Sequence, residues 1–172
     1  MSPSSPTICV LDNSVLSALH TADLLTVVSS LPYEILIPDI VYDEHLELGI
    51  LACSREILTG WGYRIVSTGP TGVLRAADLA SRYRALSAPD TFALVVSEER
   101  GARLLAGDKS LRNAAETEGV KVNGVLWVLD ELVAAILIDR PRGIEALKAI
   151  RETMTWLPEP ECERRLRLWG GL

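Results

Sequence analysis

Short β-branched, apolar runs that alternate with longer segments of helical spacing constrain this chain more than any other feature. The runs fall at Thr7–Leu11 and at residues 33–37, 63–66, 103–106 and 120–122. Between them, apolar residues recur at helical spacing over residues 15–30, from Pro38-Asp39 to about Leu58, and over 72–86, 109–118 and 126–137. Ser87, Pro89 and Asp90 mark a further helix start: a capping hydroxyl, a proline at the opening and an acid in the first turn. That helix runs to Arg100 and stops at Gly101. Strands that alternate with helices predict an α/β domain, with a parallel sheet of about five strands covered by helices on both faces.

The last part of the chain breaks the pattern. Pro141 ends the preceding helix, Ile144, Leu147, Ile150 and Met154 follow at helical spacing, and Pro158 and Pro160 precede a short basic segment with Arg164, Arg165 and Arg167. Residues 1–140 are therefore expected to form the domain. Residues 141–172 are expected to form a helical extension that packs on the domain or on a second subunit. The apolar positions of these last helices suggest a homodimer.

At 172 residues, with 48% apolar and 23% charged, the chain suits one globular domain with a real core. No apolar run reaches the roughly 18–20 residues of a membrane span; the longest, near 125–138, is interrupted by Asp130 and Glu131. Residues 1–6 carry no cation before the first apolar run, which does not fit a secretory signal, so cytoplasmic residence is the expectation. Cys9, Cys53 and Cys162 show neither zinc-ligand spacing nor a disulfide framework and read as reduced thiols.

The net charge of -6 opposes a general nucleic-acid binder. Its distribution is uneven. Up to Gly72 the only cations are Arg55 and Arg64, against eight carboxylates, whereas charges after Gly72 nearly balance. An acidic pocket with basic surroundings is compatible with this, and carboxylates gathered in one place need a cation to hold them.

Ligands of a parallel α/β sheet collect at the carboxyl ends of its strands. Asp12 directly follows the first strand and Asp108 closely follows the fourth. Asp90 lies in the first turn of the helix leading into the fourth strand, and Glu44 lies on the helix after the second, four residues from Ile40 and Leu48, a spacing that leans it inward. If strands one and four are neighbours, these acids share one hollow. Their hard oxygens suit Mg²⁺ or Mn²⁺, ions that can activate a water and stabilise charge developing on a phosphodiester. Each acid also has a plainer role: Asp12 and Asp108 as helix caps, Asp90 as a first-turn acid and Glu44 as a solvated helix residue. Asp43 and Glu47 fit exposed positions. Lys109, Arg112, Arg103 and Arg75 are candidate contacts to a nucleic-acid backbone. Trp127 and Trp156 read as core or interface anchors, Trp61 as packing, and His20 and His45 share no ligand spacing.

The segments Val10-Leu11-Asp12-Asn13-Ser14-Val15-Leu16, Ile37-Pro38-Asp39-Ile40-Val41-Tyr42-Asp43-Glu44, Pro89-Asp90-Thr91-Phe92-Ala93-Leu94 and Leu104-Leu105-Ala106-Gly107-Asp108-Lys109-Ser110-Leu111-Arg112 resemble the four motifs of PIN domains, in the family's order and at its usual separations. The resemblance spans roughly residues 7–137. It implies a Rossmann-like α/β/α sandwich and Mg²⁺- or Mn²⁺-dependent cleavage of RNA. It also implies that Asp12, Glu44, Asp90 and Asp108 are the metal-binding, catalytic acids, with Asn13 and Ser14 as supporting polar residues. Many small bacterial members are toxins of VapC type held inactive by a cognate antitoxin, which makes the toxin component of a type II toxin-antitoxin pair the expected role. Two features depart from the family pattern: Ala106 stands where a Thr or Ser is common, and the C-terminal segment exceeds the compact toxin. The alternative is a PIN-like module that no longer cleaves and binds protein or RNA. A dehalogenase-like phosphotransferase would require a second Asp where Ser14 stands.

Overall fold

The structure is a computed structural model and describes residues 6–44 and 53–171. Among the described residues, β1 (Thr7–Leu11), β2 (Tyr33–Pro38), β3 (Arg64–Val66), β4 (Arg103–Leu105) and β5 (Val122–Asn123) form one parallel sheet in the order β3-β2-β1-β4-β5. Val10 pairs with Leu36 on one side and Leu104 on the other, so the first strand is the central one. The sequence order reverses at β1, which puts the crevice between the carboxyl ends of β1 and β4 at the switch point of the fold.

The strands are mostly apolar because both faces are covered, and their charged residues, Glu34, Arg64 and Arg103, lie toward the amino ends. Cys9, Leu11, Ile35, Ile37 and Leu105 point into one core layer, and Val10, Leu36 and Leu104 into the other. The first layer is closed by α1 (Asn13–Thr21), α2 (Leu25–Val28), α3 (Asp39–Tyr42) and α4 (Arg55–Trp61). The second is closed by α5 (Pro70–Arg82), α6 (Ala88–Arg100) and α7 (Lys109–Thr117). The expected α/β/α sandwich with a five-stranded parallel sheet is thus the observed architecture. No helix among the described residues is long and apolar enough to cross a membrane.

The final helices, α8 (Val125–Ala134), α9 (Arg140–Thr153) and α10 (Glu159–Gly170), join the first layer. Ala146, Leu147, Ile150, Cys162 and Trp169 are buried in the same cluster as Leu16 and Leu129. The apolar positions that suggested a dimer are in large part covered by the chain's own core. Arg165, in the segment read as basic, is itself buried and clamps Asp130 of α8 through two hydrogen bonds of 2.9 and 2.6 Å. At Gly143 a side chain would press on Val133 and Trp169, so glycine lets α9 approach α8 and α10 closely.

Several helices differ from the expected spans. The segment 15–30 divides into α1 and α2 because Asp23 adopts a left-handed backbone, φ 53°, which Asp tolerates better than most residues. The helix expected from 39 to 58 is also not continuous. α3 passes into a wider, π-type turn at Asp43 and Glu44, whereas Cys53 and Ser54 are not helical, and α4 starts afresh under Ser54, whose hydroxyl accepts the Ile57 N–H. Leu48 and Leu51, expected on that helix, lie outside the described residues. Pro70, Pro141 and Pro160 each sit in the first turn of a helix, where the absent N–H costs nothing, so α5, α9 and α10 begin earlier than their apolar spacing suggested.

Deleting residues 140–172 should expose the apolar side of α8 and leave a chain that binds the dye ANS and has lost cooperative melting by circular dichroism. A truncated chain with an unchanged Tm would show the last two helices to be separable.

Candidate active site

The site is built where β1 and β4 end side by side. The Asp12 N–H donates to the Leu105 carbonyl at 3.0 Å, which extends the β1–β4 ladder by one bond. The chain then turns into α1, and Asp12 caps it: its Oδ2 accepts the Ser14 N–H at 3.2 Å and the Ser14 hydroxyl at 2.8 Å. The Ser14 Oγ in turn accepts the Gly107 N–H at 2.8 Å. One hydroxyl therefore ties the first acid to the loop that carries Asp108. With Ala at position 106, this tie from Ser14 is a side-chain link that supplements the backbone bond between the two strand ends; the Ala106 carbonyl is held by the Arg112 guanidinium at 2.9 Å.

Asp12 is 2% exposed, and its second oxygen, Oδ1, is buried without a hydrogen-bond partner. Burial raises this carboxyl above its ordinary value of 3.8; the Ser14 hydroxyl pulls the other way, and the charge of Asp90 adds to the rise. Asp12 and Asp90 are thus close enough to feel each other.

Asp90 and Asp108 also cap helices. Asp90 Oδ2 accepts the Ser87 N–H at 2.7 Å while the Ser87 hydroxyl accepts the Asp90 N–H at 3.3 Å, a reciprocal capping box at the start of α6. Asp108 Oδ1 accepts the Leu111 N–H at 2.9 Å at the start of α7. In each case the other carboxylate oxygen carries no hydrogen bond from the described residues. Asp90 is half-buried and Asp108 is exposed.

Glu44 is exposed, where its spacing from Ile40 suggested an inward lean; it lies in the π-type turn that continues α3, whose wider winding does not keep the 3.6-residue spacing. Asp43 pairs with Arg55 at 2.9 Å, and the Arg55 guanidinium lies over the Tyr42 ring. Glu47 and His45 lie outside the described residues. No group of three or more carboxylate, histidine or cysteine side chains among the described residues is placed to hold a metal. What fits a cation is the Asp12 carboxylate, with one buried oxygen lacking any donor and a second acid beside it. Asn13 faces along its own helix, its Oδ1 accepting the Ser17 hydroxyl at 3.1 Å.

The candidate cations separate into two kinds. Arg75 is bound to Glu98, Glu118 and Asp78. Glu118 is held down to about 2 chiefly by the Tyr83 hydroxyl, with help from Arg75 and Arg82, and the whole network cross-links α5, α6 and the end of α7. Arg103 lies over the Trp127 ring and bonds to Asn123. Both arginines are thus engaged within the chain. Lys109 and Arg112 have no carboxylate partner among the described residues. They line a cleft of about 420 Å³ that opens beside Gly107.

Trp156 forms the other side of that cleft, which its sequence context did not reveal. Trp127 has the anchoring role expected of it, stacked on Tyr33 at 5.7 Å. Trp61 packs on the core, and Cys9 and Cys162 are buried free thiols.

The chain matches a family described as DUF3368: PIN domain over residues 8–171. It belongs to the PIN domain family, whose members are in general nucleases that use divalent metal ions. No curated protein matches the chain. Among solved structures it is similar to a PilT N-terminus domain protein from the hyperthermophilic archaeon Sulfolobus solfataricus P2, at 16% identity over 72% of this chain and 92% of that one, TM-score 0.47. It is also similar to VapBC2 from Rickettsia felis bound to a promoter DNA fragment, at 12% identity over 69% of this chain and 98% of that one, TM-score 0.48.

Because the Asp12 carboxyl is raised, the folded chain binds its proton more tightly than the unfolded chain does. Without a cation, stability should fall as pH rises above the ordinary carboxylate value. Asp12→Asn should remove that loss and raise the Tm of the metal-free protein at pH 7 by a few degrees. Mn²⁺ should raise the Tm of the wild type and leave that of the variant unchanged, as scanning calorimetry can measure.

Proposed function

We propose that the chain is a Mg²⁺- or Mn²⁺-dependent endoribonuclease whose centre is Asp12. The observation that carries this reading is the buried, partnerless Oδ1 of Asp12 at the β1–β4 switch point, beside the Asp90 charge. A carboxylate oxygen in that position is costly unless a cation meets it.

In this reading Asp12 holds the ion with Oδ1 while Ser14 fixes its other oxygen, so the carboxylate is oriented before the ion arrives. Asp90 and Asp108 contribute the oxygens that their helix caps leave open, and Glu44 approaches from the end of α3. When bound, a hard divalent ion neutralises the gathered acids, lowers the pKa of nearby water and stabilises charge that develops on a phosphodiester. Lys109 and Arg112 bind the strand backbone next to the acids and supply the local positive charge that the acidic chain otherwise lacks.

The toxin role, with a cognate antitoxin, rests on the resemblance of the four motifs. It is tested by growth arrest on induction and by rescue with the product of a neighbouring reading frame. A second reading, a non-cleaving module that binds protein or RNA, is favoured by the absence of a three-acid group among the described residues and by the exposure of Asp108 and Glu44.

Purified protein with Mn²⁺ should cut single-stranded RNA internally. Asp12→Asn, Asp90→Asn and Asp108→Asn should each lower the rate at least about 100-fold with an unchanged circular dichroism spectrum. Full activity in all three variants would exclude the mechanism. In a calorimetric titration, the non-cleaving module should give no saturable Mn²⁺ heat.

A further inference from the structure

We propose that the cleft between α7 and Trp156 holds one unpaired nucleotide of the RNA strand, with its base against the Trp156 indole and its phosphates on Lys109 and Arg112. This rests on the reading of the chain as a nuclease and adds a recognition site to it.

Trp156 lies in the connection between α9 and α10, yet it reaches the carboxyl end of β4. A side-chain carbon added at Gly107 would lie 2.3 Å from Cη2 of its ring, so the indole rests directly on the backbone that precedes Asp108. The residue is nevertheless 36% exposed, and among the described residues its ring has no aromatic or cationic partner. Trp127, on the same cleft, is already engaged by Tyr33 and Arg103. Trp156 is thus the tryptophan of the cleft whose ring is open to a ligand.

The rest of the lining fits a nucleotide. Lys109 and Arg112 stand one helical turn apart on α7 without a carboxylate partner. Glu116 is the carboxylate of the cleft without an ion pair, and Arg165 is neutralised by Asp130 and Glu161. The exposed Asn113 amide offers both a donor and an acceptor to a base edge. A volume of about 420 Å³ suits a single nucleotide rather than a duplex. Aromatic stacking with neighbouring cations is the usual means of holding an unpaired base, whereas a paired base offers no free ring face.

The test is binding of a labelled, mixed-sequence single-stranded oligoribonucleotide to the full chain in EDTA, where no cleavage interferes, followed by fluorescence anisotropy. Trp156→Ala should weaken the Kd about 10-fold or more, and Trp156→Phe, which keeps a ring, less than about 3-fold. Gly107→Ala should push the half-exposed indole aside and weaken binding several-fold at an unchanged Tm, which keeps the test decisive if Trp156→Ala does not fold. Wild-type affinity in both Trp156→Ala and Gly107→Ala would overturn the proposal. So would a perfect duplex of the same sequence binding as tightly as the single strand, or no binding of the single strand at all. Mn²⁺-dependent cleavage is scored separately. Cleavage with binding indifferent to Trp156 would overturn the cleft alone. Trp156-dependent binding without cleavage would overturn the nuclease reading alone.

Discussion

The hydrogen bonds that meet at the Ser14 hydroxyl join the two halves of this fold. Through them the first strand's terminal acid is fastened to the loop after the fourth strand, residues that are far apart in the chain. A parallel sheet alone would place the two strand ends side by side; it would not fix the rotamer of Asp12. The hydroxyl does so by donating to Oδ2 and accepting from the Gly107 N–H, which leaves Oδ1 as the one direction in which the carboxylate is unsatisfied. The geometry of the site follows from this allocation of lone pairs.

The allocation carries a cost in stability. A carboxylate buried with one oxygen unpaired works against the fold, and its neighbour Asp90 makes matters worse. The surroundings offset this with two dense cores and with ionic cross-links placed away from the site. These are the Arg75–Glu98–Glu118 network on one layer and the Arg165–Asp130 clamp on the other. Strain of this kind at a strand end, with a rigid scaffold behind it, is what a preorganised cation site requires.

The layout of the fold was largely legible in the sequence, and the reason is physical. Strands buried on both faces are mostly apolar, so Thr7–Leu11 and its counterparts stand out, and Ser87, Asp108 and Gly101 punctuate the chain through local capping geometry. Asp23 gave no such signal, since its left-handed turn depends on how α1 and α2 pack rather than on a glycine or proline. The acids were visible as a set of positions, but the same residues are good helix caps, and sequence cannot say which oxygen remains open. The bond from Ser14 to Gly107 and the seat of Trp156 on Gly107 join residues distant in the chain, and no local pattern encodes them. Glu44 misled because its spacing assumes a regular α-helix, whereas the chain winds into a wider π-type turn at Asp43 and Glu44.

The place of β1 in the middle of the sheet bears on how the molecule is assembled. The first strand to be synthesised keeps one edge unpaired until β4, with Leu104 opposite Val10, has been made. The search that closes this pairing is long-range, which slows folding and leaves an adhesive strand edge open in the meantime. Early helices and the parallel partner β2 can shield one flank of the nascent chain, but the central seam closes only after much of the polypeptide is available. The same seam that fastens Asp12 and Ser14 to the loop preceding Asp108 is therefore a late event in the life of the chain.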